Sequence, residues 1–520
     1  MDHPPAGVPP QRARAATQCR ARRGGRPRGC ALTVVVGIDQ GTTGTRTVAF
    51  DEHFGELAQA YRRVPVAHPH PGWVEKDAEA VVVSVDETLA EVAAAVGPDR
   101  ITAVGLDNEG ETVVAWDAES LRPLAPAIVW SCRRSEGIVE RLAAAGAGPR
   151  VLALAGTPLD PYFSSTKIAW LLEQSEPVRR AAERGQARFG TLDGYVCARL
   201  GDGARTEPST AARTQLQELA HPGRWSGELC DVFGVDAATL PPIGPSAGDL
   251  GALRATGIER PLPLRALLVD QTAALAGHGA VAAGTAKATY GTGIFVLAHA
   301  GSEPPVQTAG LLPTVAWQIG GRSDYALDGG VFSAGSALEW AASLGLLEAP
   351  ERSEALAMSV ADTGGVRFLP ALTGLGAPWW RADARAVFTG MTAHSTPAHL
   401  VRALLEALCF RVRDIAEALA AAGAAPAILR VDGGMTANRW LMQRQADVLG
   451  IPVRVAATAE ATALGAAAAA GIGAGCWTLA DLATLQAGGE TVEPAPGSSS
   501  ARDHEYAGWR AFVERESAPA

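Results

Sequence analysis

Three aspartates stand where a folded chain can present a carboxylate to a ligand. Asp39, Asp270 and Asp432 each follow a run of apolar residues, and glycine or threonine comes soon after each of them. Buried strands of open α/β sheets end in this way, and such sheets bind ligands outside the carboxyl ends of their strands. A carboxylate at that edge can contact a bound ligand. The pattern indicates a ligand site assembled from several strand ends.

The turns that follow these strands are rich in glycine and threonine. Residues 41–45 read Gly-Thr-Thr-Gly-Thr before Arg46, and residues 291–293 read Gly-Thr-Gly. Glycine lets the backbone approach a ligand, while N–H groups, hydroxyls and an arginine fork can bind phosphate oxygens. Gly433 and Gly434 precede an amphipathic helix whose positive end favours anions. We expect phosphate contacts from both halves of the chain, although each turn alone also fits an ordinary turn after a strand.

Pattern and composition exclude several classes of function. The 520 residues contain no GxxxxGK[ST] loop, no HExxH and no CxxC pair, which excludes a P-loop and a local zinc signature. Seven cysteines are too few for a disulfide scaffold, and a formal net charge of −10 argues against general nucleic-acid binding. Apolar runs are short or interrupted, so we predict no membrane span and expect a cytoplasmic protein.

The elements that must position these residues alternate between short β-rich runs and longer helical stretches, which predicts α/β architecture. Apolar residues recur at three- and four-residue spacing over Ala398–Ala422, which predicts a long amphipathic helix. The predicted strands are Thr33–Ile38 in a hairpin with Thr47–Phe50, Ile101–Leu106 in the same pattern with Val113–Trp116, and Leu264–Val269, Ala288–Val296 and Ile428–Val431.

Residues 1–33 differ from the rest of the chain. They carry seven arginines against the single acid Asp2, with proline and glycine between them and no apolar period. We predict a disordered Arg-rich tail or a start site assigned too early; a transit-like or anion-binding arm is the alternative. Further breaks occur near Pro241–Gly251 and after Gly488. We predict a hinge near Pro245–Gly251 and a boundary at Gly488.

Seven longer motifs occur in order along the chain. They are residues 37–43, 127–134, 160–170, 290–293, 373–380, 431–434 and 506–509. The first resembles the initial phosphate loop of the FGGY carbohydrate kinases, and residues 160–170 and 373–380 resemble the two signature regions of that family. The other motifs are similar to the branch of the family that phosphorylates glycerol. The resemblance covers residues 34–515.

The resemblance implies two actin-like, ribonuclease H-like domains that flank a central cleft. An N-terminal domain at residues 34–280 would bind the acceptor, and a C-terminal domain at residues 281–488 would bind most of ATP. Residues 489–520 would form a tail with a terminal helix. The implied activity is ATP-dependent phosphorylation of a hydroxyl of a small polyol or sugar, with glycerol to glycerol 3-phosphate as the nearest named reaction.

The resemblance also implies ATP and Mg²⁺ as cofactors and gives roles to matching residues. Asp270 matches the general base that holds the reacting hydroxyl, and Asp39 matches the aspartate that organises Mg²⁺. The residues that match nucleotide contacts are Thr42, Thr43, Arg46, Thr292, Gly335, Glu339, Gly434 and Asn438. The residues that match acceptor contacts are Glu111, Tyr162, Asp270, Gln271 and Phe295. Without the resemblance, Asp270 can also be interpreted as a helix N-cap.

One segment departs from the family pattern. The glycerol branch has Asn-Gln-Arg-Glu-Thr-Thr where residues 108–113 read Asn-Glu-Gly-Glu-Thr-Val. Gly110 therefore replaces the arginine that holds glycerol; it supplies no donor and is expected to leave space. This space would admit a longer polyol or a ketose, so an erythritol or xylulose kinase is an alternative. An actin-like ATPase is the non-kinase alternative, and a homodimer or homotetramer is expected from the family.

Overall fold

The computed structural model describes residues 34–306, 308–458, 460–485, 489–497 and 499–518. The prediction made for residues 1–33 lies outside these described residues. The strands of the first large sheet are, in spatial order, Ala252–Leu253, Leu262–Val269, Ile101–Asn108, Val34–Gln40, Gly44–Phe50 and Glu56–Arg63. The strands of the second large sheet are, in spatial order, Leu312–Ile319, Arg322–Val331, Ile294–Gly301, Ala286–Tyr290, Leu429–Asp432, Val453–Val455 and Glu490–Val492.

The two large sheets repeat one connection pattern. In the first, Val34–Gln40 pairs antiparallel with Gly44–Phe50 and parallel with Ile101–Asn108, which pairs parallel with the next strand. In the second, Ala286–Tyr290 pairs antiparallel with Ile294–Gly301 and parallel with the strand that ends at Asp432. This is the arrangement expected of two ribonuclease H-like domains, and the predicted α/β fold is confirmed.

Two of the strand predictions are wrong. Val113–Asp117 does not return beside Ile101–Asn108 but joins another sheet, where it pairs with Ala187–Thr191. Alternating apolar residues show that a segment is a strand, but not which sheet it joins. The predicted strand Ala288–Val296 is interrupted at residues 291–293, where the Gly-Thr-Gly turn separates two antiparallel strands.

The remaining elements cover these sheets. The third sheet contains Val66–Ala67, Glu75–Lys76, Ala127–Ile128, Val113–Asp117 and Ala187–Thr191, and Arg367–Leu369 pairs with Val387–Thr389. The α-helices are Ala78–Val96, Glu136–Ala144, Gly148–Ala155, Ser164–Gln174, Glu176–Glu183, Leu192–Leu200, Pro208–Ala212, Gly227–Phe233, Asp270–Gly277, Gly335–Ser343, Ser353–Met358, Pro397–Ala421, Arg439–Leu449, Ala461–Gly473, Leu479–Leu482 and Ser499–Glu516. The 3₁₀ helices are Pro98–Arg100, Ala237–Thr239, Pro350–Arg352 and Gly434–Ala437.

The long helix predicted at Ala398–Ala422 is confirmed as Pro397–Ala421. Thr396 and His399 cap its start reciprocally, and proline at its first position has the backbone angle that a helix needs. None of the helices among the described residues is both long and apolar enough to span a membrane.

The helix Ala461–Gly473 packs on the first large sheet, although it comes late in the sequence. A Cβ atom at Gly37 would lie 1.9 Å from the carbonyl oxygen of Ala463, and one at Gly105 would lie 2.1 Å from that of Ala466. Only glycine permits backbones to approach so closely. The same core cluster includes apolar residues of both large sheets, so this helix helps to fix the carboxyl edges of their strands in space.

Candidate active site

Two carboxyl groups meet at the carboxyl edge of the first sheet. Asp39 and Asp107 are partners in the parallel pairing, and Asp107 is fully buried. Burial raises the pKa of Asp39 to about 6, while a hydrogen bond with Asp107 lowers it. Burial also raises the pKa of Asp107 well above its usual range, and repulsion from Asp39 and Asp270 adds to this. Both carboxyl groups are therefore protonated more readily than an exposed aspartate.

The turn after Asp39 rests on a buried ion pair. Gly41 donates its N–H to the carbonyl of Gly44 at 3.0 Å. Lys76 donates to the carbonyl of Gly41 at 3.0 Å and to the carboxylate of Glu109 at 2.5 Å. Both charged side chains are almost fully buried, so each needs the other. Sequence analysis did not assign a role to Lys76 or Glu109.

The predicted phosphate-binding residues of this turn have other partners as well. The hydroxyl of Thr42 accepts a hydrogen bond from the Trp130 indole at 3.1 Å. Thr43 is exposed, and its carbonyl accepts hydrogen bonds from the backbone and from Tyr61. Arg46 lies 2.9 Å from the carboxylate of Glu460. The loop is thus held in place while the hydroxyl of Thr43 stays exposed.

Four polar side chains form the centre of the predicted acceptor pocket. Arg213 donates to Glu111 at 2.5 Å and to the Tyr162 hydroxyl at 3.1 Å, and it lies 3.2 Å from a carboxylate oxygen of Asp328. Glu111 and Tyr162 are predicted acceptor contacts, and the structure brings them together through an arginine that sequence analysis missed. The partners are far apart in sequence, so no local motif reveals the cluster.

The space expected beside Gly110 is occupied. A Cβ atom at this position would lie 2.5 Å from a methyl carbon of Val269 and 3.2 Å from Cγ of Arg213. The valine side chain is stiff and its N–H is held by Ser209, so it cannot easily move away. The expectation that this glycine leaves room for a larger acceptor is therefore wrong.

Asp270 is partly buried at the end of the strand Leu262–Val269 and begins the next helix. The N-cap of this helix is Val269, so the alternative interpretation of Asp270 as the N-cap is wrong. Burial raises the pKa of Asp270 to about 7, and repulsion from Glu111 and Asp39 adds to this rise. Lys287 and the N–H of Gln271 act in the opposite direction and lower the pKa. A carboxyl with this pKa can exchange a proton near neutral pH.

Lys287 connects Asp270 to the second sheet. It is fully buried and donates to the side chain of Gln271 at 2.5 Å and to Thr289 at 3.0 Å. Burial lowers its pKa, while Asp432, Asp270 and Asp328 raise it. Sequence analysis did not assign a role to Lys287.

Aromatic rings close the acceptor pocket on one side. Trp130 packs edge-on against Tyr162 at a centroid distance of 5.8 Å and against Phe295 at 6.5 Å. Tyr162 and Phe295, both expected acceptor contacts, come from different halves of the chain. Their rings offer an apolar surface to a ligand in the predicted pocket.

The predicted nucleotide residues of the second half lie around its hairpin turn. Backbone N–H groups of Gly335 and Ala334 donate to the carbonyls of Gly291 and Thr292, each at 3.0 Å. Gly433 has φ of 93°, and a Cβ atom there would lie 2.4 Å from the carbonyl oxygen of Tyr290. These contacts fix the start of the helix Gly335–Ser343 against the turn, and its first N–H groups are bonded to carbonyls of the turn.

Three further predicted nucleotide residues have different surroundings. A Cβ atom on Gly434 would meet nothing within 4 Å, so this position is open. Asn438 caps the helix Arg439–Leu449 by accepting the N–H of Leu441 at 2.8 Å. Glu339 is exposed on the helix that begins at Gly335. Asn438 therefore has a structural role whether or not it contacts a ligand.

Asp432 lies at the carboxyl end of its strand and is fixed by His278, whose ring nitrogen is 2.9 Å from the carboxylate. Burial disfavours the charge of Asp432, but this histidine contact, with help from Lys287, lowers its pKa overall. A carboxylate from the second sheet thus stays ionised near the Asp39–Asp107 pair.

This arrangement of two related sheets and a polar cleft edge belongs to a known class. Family models of the FGGY family of carbohydrate kinases match the chain, the N-terminal domain at residues 34–277 and the C-terminal domain at residues 286–474. The chain belongs to this family. The family assignment made from the motifs is confirmed.

The chain is also similar to individual proteins and solved structures of this family. The chain is 42% identical to a glycerol kinase of Thermus brockianus over 492 residues, covering 93% of this chain and 98% of the relative. A solved glycerol kinase of Plasmodium falciparum with ADP is 30% identical, with a TM-score of 0.87 and coverage of 94% and 99%. A solved xylulose kinase from Rhodospirillum rubrum is 27% identical, with a TM-score of 0.82 and coverage of 93% and 98%.

Proposed function

We propose that the protein transfers the terminal phosphoryl group of ATP to a hydroxyl of a small polyol, with glycerol as the acceptor. The observation that carries this proposal is Asp270, a carboxyl with a pKa near 7 beside the Glu111–Tyr162–Arg213 cluster. Glycerol kinases that align with almost the whole chain support the choice of acceptor, and a structural relative named with ADP supports the nucleotide.

In the proposed reaction, the acceptor hydroxyl attacks the γ-phosphorus of ATP. A bond forms between the hydroxyl oxygen and phosphorus, and the bond to the β–γ bridging oxygen breaks, so ADP leaves. Asp270 orients the hydroxyl and takes its proton. Glu111 and Tyr162 hold other hydroxyls, and Gln271 is positioned by Lys287. Phosphoryl transfer depends on alignment and charge stabilisation, so a weakly basic carboxyl is sufficient.

The carboxyl edge of the first sheet fits the Mg²⁺ that this family implies. Apart from the facing carboxyl of Asp39, neither oxygen of Asp107 has a hydrogen-bond partner among the described residues, which is costly unless a proton or cation binds there. No three metal-binding side chains cluster within the described ranges, which suits an ion that keeps much of its water. Asp39 and Asp107 would hold it, and the ion would neutralise phosphate charge when bound.

Nucleotide contacts are proposed for the two hairpin turns. Thr42, Thr43 and Arg46 on the first turn, and Thr292 and Gly335 on the second, would bind phosphates. Gly434 and Asn438 would lie on the adenosine side, with Glu339 nearby. Domain boundaries at residues 280 and 488, a cytoplasmic location and a homodimeric or homotetrameric assembly stay predictions.

The alternatives have less support. A longer polyol or a ketose was favoured by free space beside Gly110, and that space is filled. An actin-like ATPase would have no use for an acceptor pocket with the buried pair Glu111–Arg213 and its aromatic wall.

The test is ADP release from ATP and Mg²⁺ with glycerol, tetritols, pentitols and ketopentoses. We expect glycerol to give the largest stimulation, and Asp270→Asn to lower kcat by about 10²- to 10⁴-fold, the usual contribution of a general base. Asp99→Asn, a side chain 92% exposed to solvent, is the matched control and should keep full activity. ADP release that responds to no polyol or sugar would contradict the proposal.

A further inference from the structure

Arg213 is the residue in the acceptor pocket with the most connections and no role assigned so far. We propose that its guanidinium contacts the bound polyol directly and determines acceptor selectivity, supplying the hydrogen-bond donors that Gly110 lacks. This inference rests on the proposed function and adds a specific ligand contact to it.

The first support is the position of Arg213 relative to Gly110. Its Cγ would lie 3.2 Å from a Cβ atom at Gly110, so the arginine stem passes beside the glycine. In this conformation, Val269 would clash with any side chain at position 110. Donors can therefore reach this part of the pocket from Arg213 but not from residue 110.

The second support is the set of residues that Arg213 contacts. Its Nε donates to Glu111 and one terminal nitrogen donates to the Tyr162 hydroxyl, and both partners are proposed acceptor contacts. The guanidinium also lies 5.4 Å from the centre of the Tyr162 ring. A group bonded to two acceptor-binding side chains is within reach of the same ligand.

The third support is the number of donors. A guanidinium carries five N–H bonds in a fixed plane. The contacts to Glu111, Tyr162 and Asp328 engage one N–H on each nitrogen, which leaves one N–H on each terminal nitrogen for hydroxyl oxygens. The Arg213 side chain is only 6% exposed, so such hydrogen bonds would form away from bulk water.

The position of Asp328 explains how this arginine is kept charged and in place. Asp328 lies on the strand Arg322–Val331 of the second sheet, whereas Glu111 follows a strand of the first sheet. Arg213 is therefore held by carboxylates from both halves of the molecule. A purely structural bridge would use the same contacts, so the experiment must separate bridging from ligand binding.

The experiment compares Arg213→Lys and Arg213→Gln with the wild-type full-length protein. The probes are glycerol, 1,2-propanediol and 1,3-propanediol, since each diol lacks one hydroxyl of glycerol. Values of kcat/KM are measured for glycerol, and each diol is measured as a competitive inhibitor, so binding is obtained even without turnover. The KM for ATP and the melting temperature are measured for every variant.

We expect Arg213→Gln to lower kcat/KM for glycerol by about 10- to 150-fold, the usual effect of losing a hydrogen bond to a charged group. One of the diols lacks the hydroxyl that Arg213 contacts. For that diol, the loss of affinity caused by the substitution should be smaller than the loss for glycerol by about tenfold or more. Arg213→Lys should lie between the wild type and Arg213→Gln. Equal losses for glycerol and both diols in the two variants would overturn the proposal and leave a bridging role.

Controls keep the outcomes distinguishable. Arg213→Gln combined with Asp328→Asn removes one of the two buried carboxylates that the single variant leaves unpaired, so it replaces the single variant if that protein does not fold. Arg254→Gln, at an exposed ion pair with Asp202, should change none of the three affinities. A wild type without polyol-dependent ADP release contradicts the proposed function itself, whereas an active wild type with equal losses contradicts only the role of Arg213.

Discussion

The turn at residues 41–43 and the turn at residues 291–293 join equivalent strands of the two related sheets. The first is supported from below by a side chain, because buried Lys76 donates to the carbonyl of Gly41 and is neutralised by Glu109. The second is supported without a buried charge, through the N–H groups at the start of the helix Gly335–Ser343 and the Ser336 hydroxyl, which donates to the carbonyl of Thr292. The two turns therefore occupy equivalent positions but are held in place by different interactions.

The difference has consequences for how each turn tolerates change. A buried ion pair fails when one partner is removed, because the other charge is left in a poor solvent, but it can be exchanged as a pair. A backbone support has no charge to lose, but it needs glycine wherever two backbones touch. Charge variants should test the first turn, and glycine variants the second.

The largest effect is expected from Lys76→Met. It leaves buried Glu109 unpaired and should lower the free energy of unfolding by about 3–5 kcal/mol. Denaturant unfolding followed by circular dichroism measures this. Adding Glu109→Gln should recover most of the loss, and a double variant as unstable as the single one would contradict the ion-pair explanation of the first turn.

A smaller effect is expected at the second turn from Gly433→Ala. The backbone there has φ of 93° and ψ of 162°, a region populated almost only by glycine, so alanine should cost about 1–3 kcal/mol of stability, with close contact to Tyr290 adding to it. Thermal melting measures the loss. Gly434→Ala is the matched control, because its added methyl meets only open space and should change the KM for ATP rather than stability.

The pH dependence of kcat/KM should show whether the pKa of Asp270 is raised above that of an ordinary carboxyl. Its pKa is raised to about 7, and only the ionised form can take a proton from the acceptor. Activity should therefore fall about tenfold per pH unit below this value and level off above it. Steady-state rates in buffers from about pH 5 to about pH 9 test this, and an acidic limb centred near about pH 4 would contradict the raised pKa.

The smallest effect is expected from Glu460→Gln, which removes the partner of Arg46. The pair is partly exposed, so stability should change by less than about 1 kcal/mol. Arg46 keeps its hydrogen bond to Gln59 but loses a carboxylate that competes with phosphate, so the KM for ATP should stay the same or fall. A clear rise in this KM would show that Glu460 positions Arg46 rather than competing for it.

Sequence pattern predicted the parts of this molecule that depend on local order. The strands that end at Asp39 and near Asp270 follow from apolar runs, and the long helix follows from its period. The same rule should have selected Asp107, since it stands near the end of the apolar strand Ile101–Asn108. That carboxyl was not predicted, because Asn108 and Glu109 follow it directly rather than glycine or threonine.

The charged supports of the site could not be predicted in this way. Lys76 lies 33 residues from Glu109, and Arg213 lies 102 residues from Glu111, so no spacing rule connects the partners. Their burial is decided by tertiary packing, in which a charge is kept inside only by another charge. Gly110 is a further example. A glycine in the sequence does not show which neighbouring side chains occupy the space beside it.

The late position of the helix Ala461–Gly473 also orders events during synthesis. The strands that carry Gly37 and Gly105 leave the ribosome long before the helix that packs on them. One face of the first large sheet therefore stays unpacked until that helix is made. Nascent chains that carry only the N-terminal half therefore expose apolar surface for most of translation. Chaperone demand should end only when residue 473 has emerged and docked.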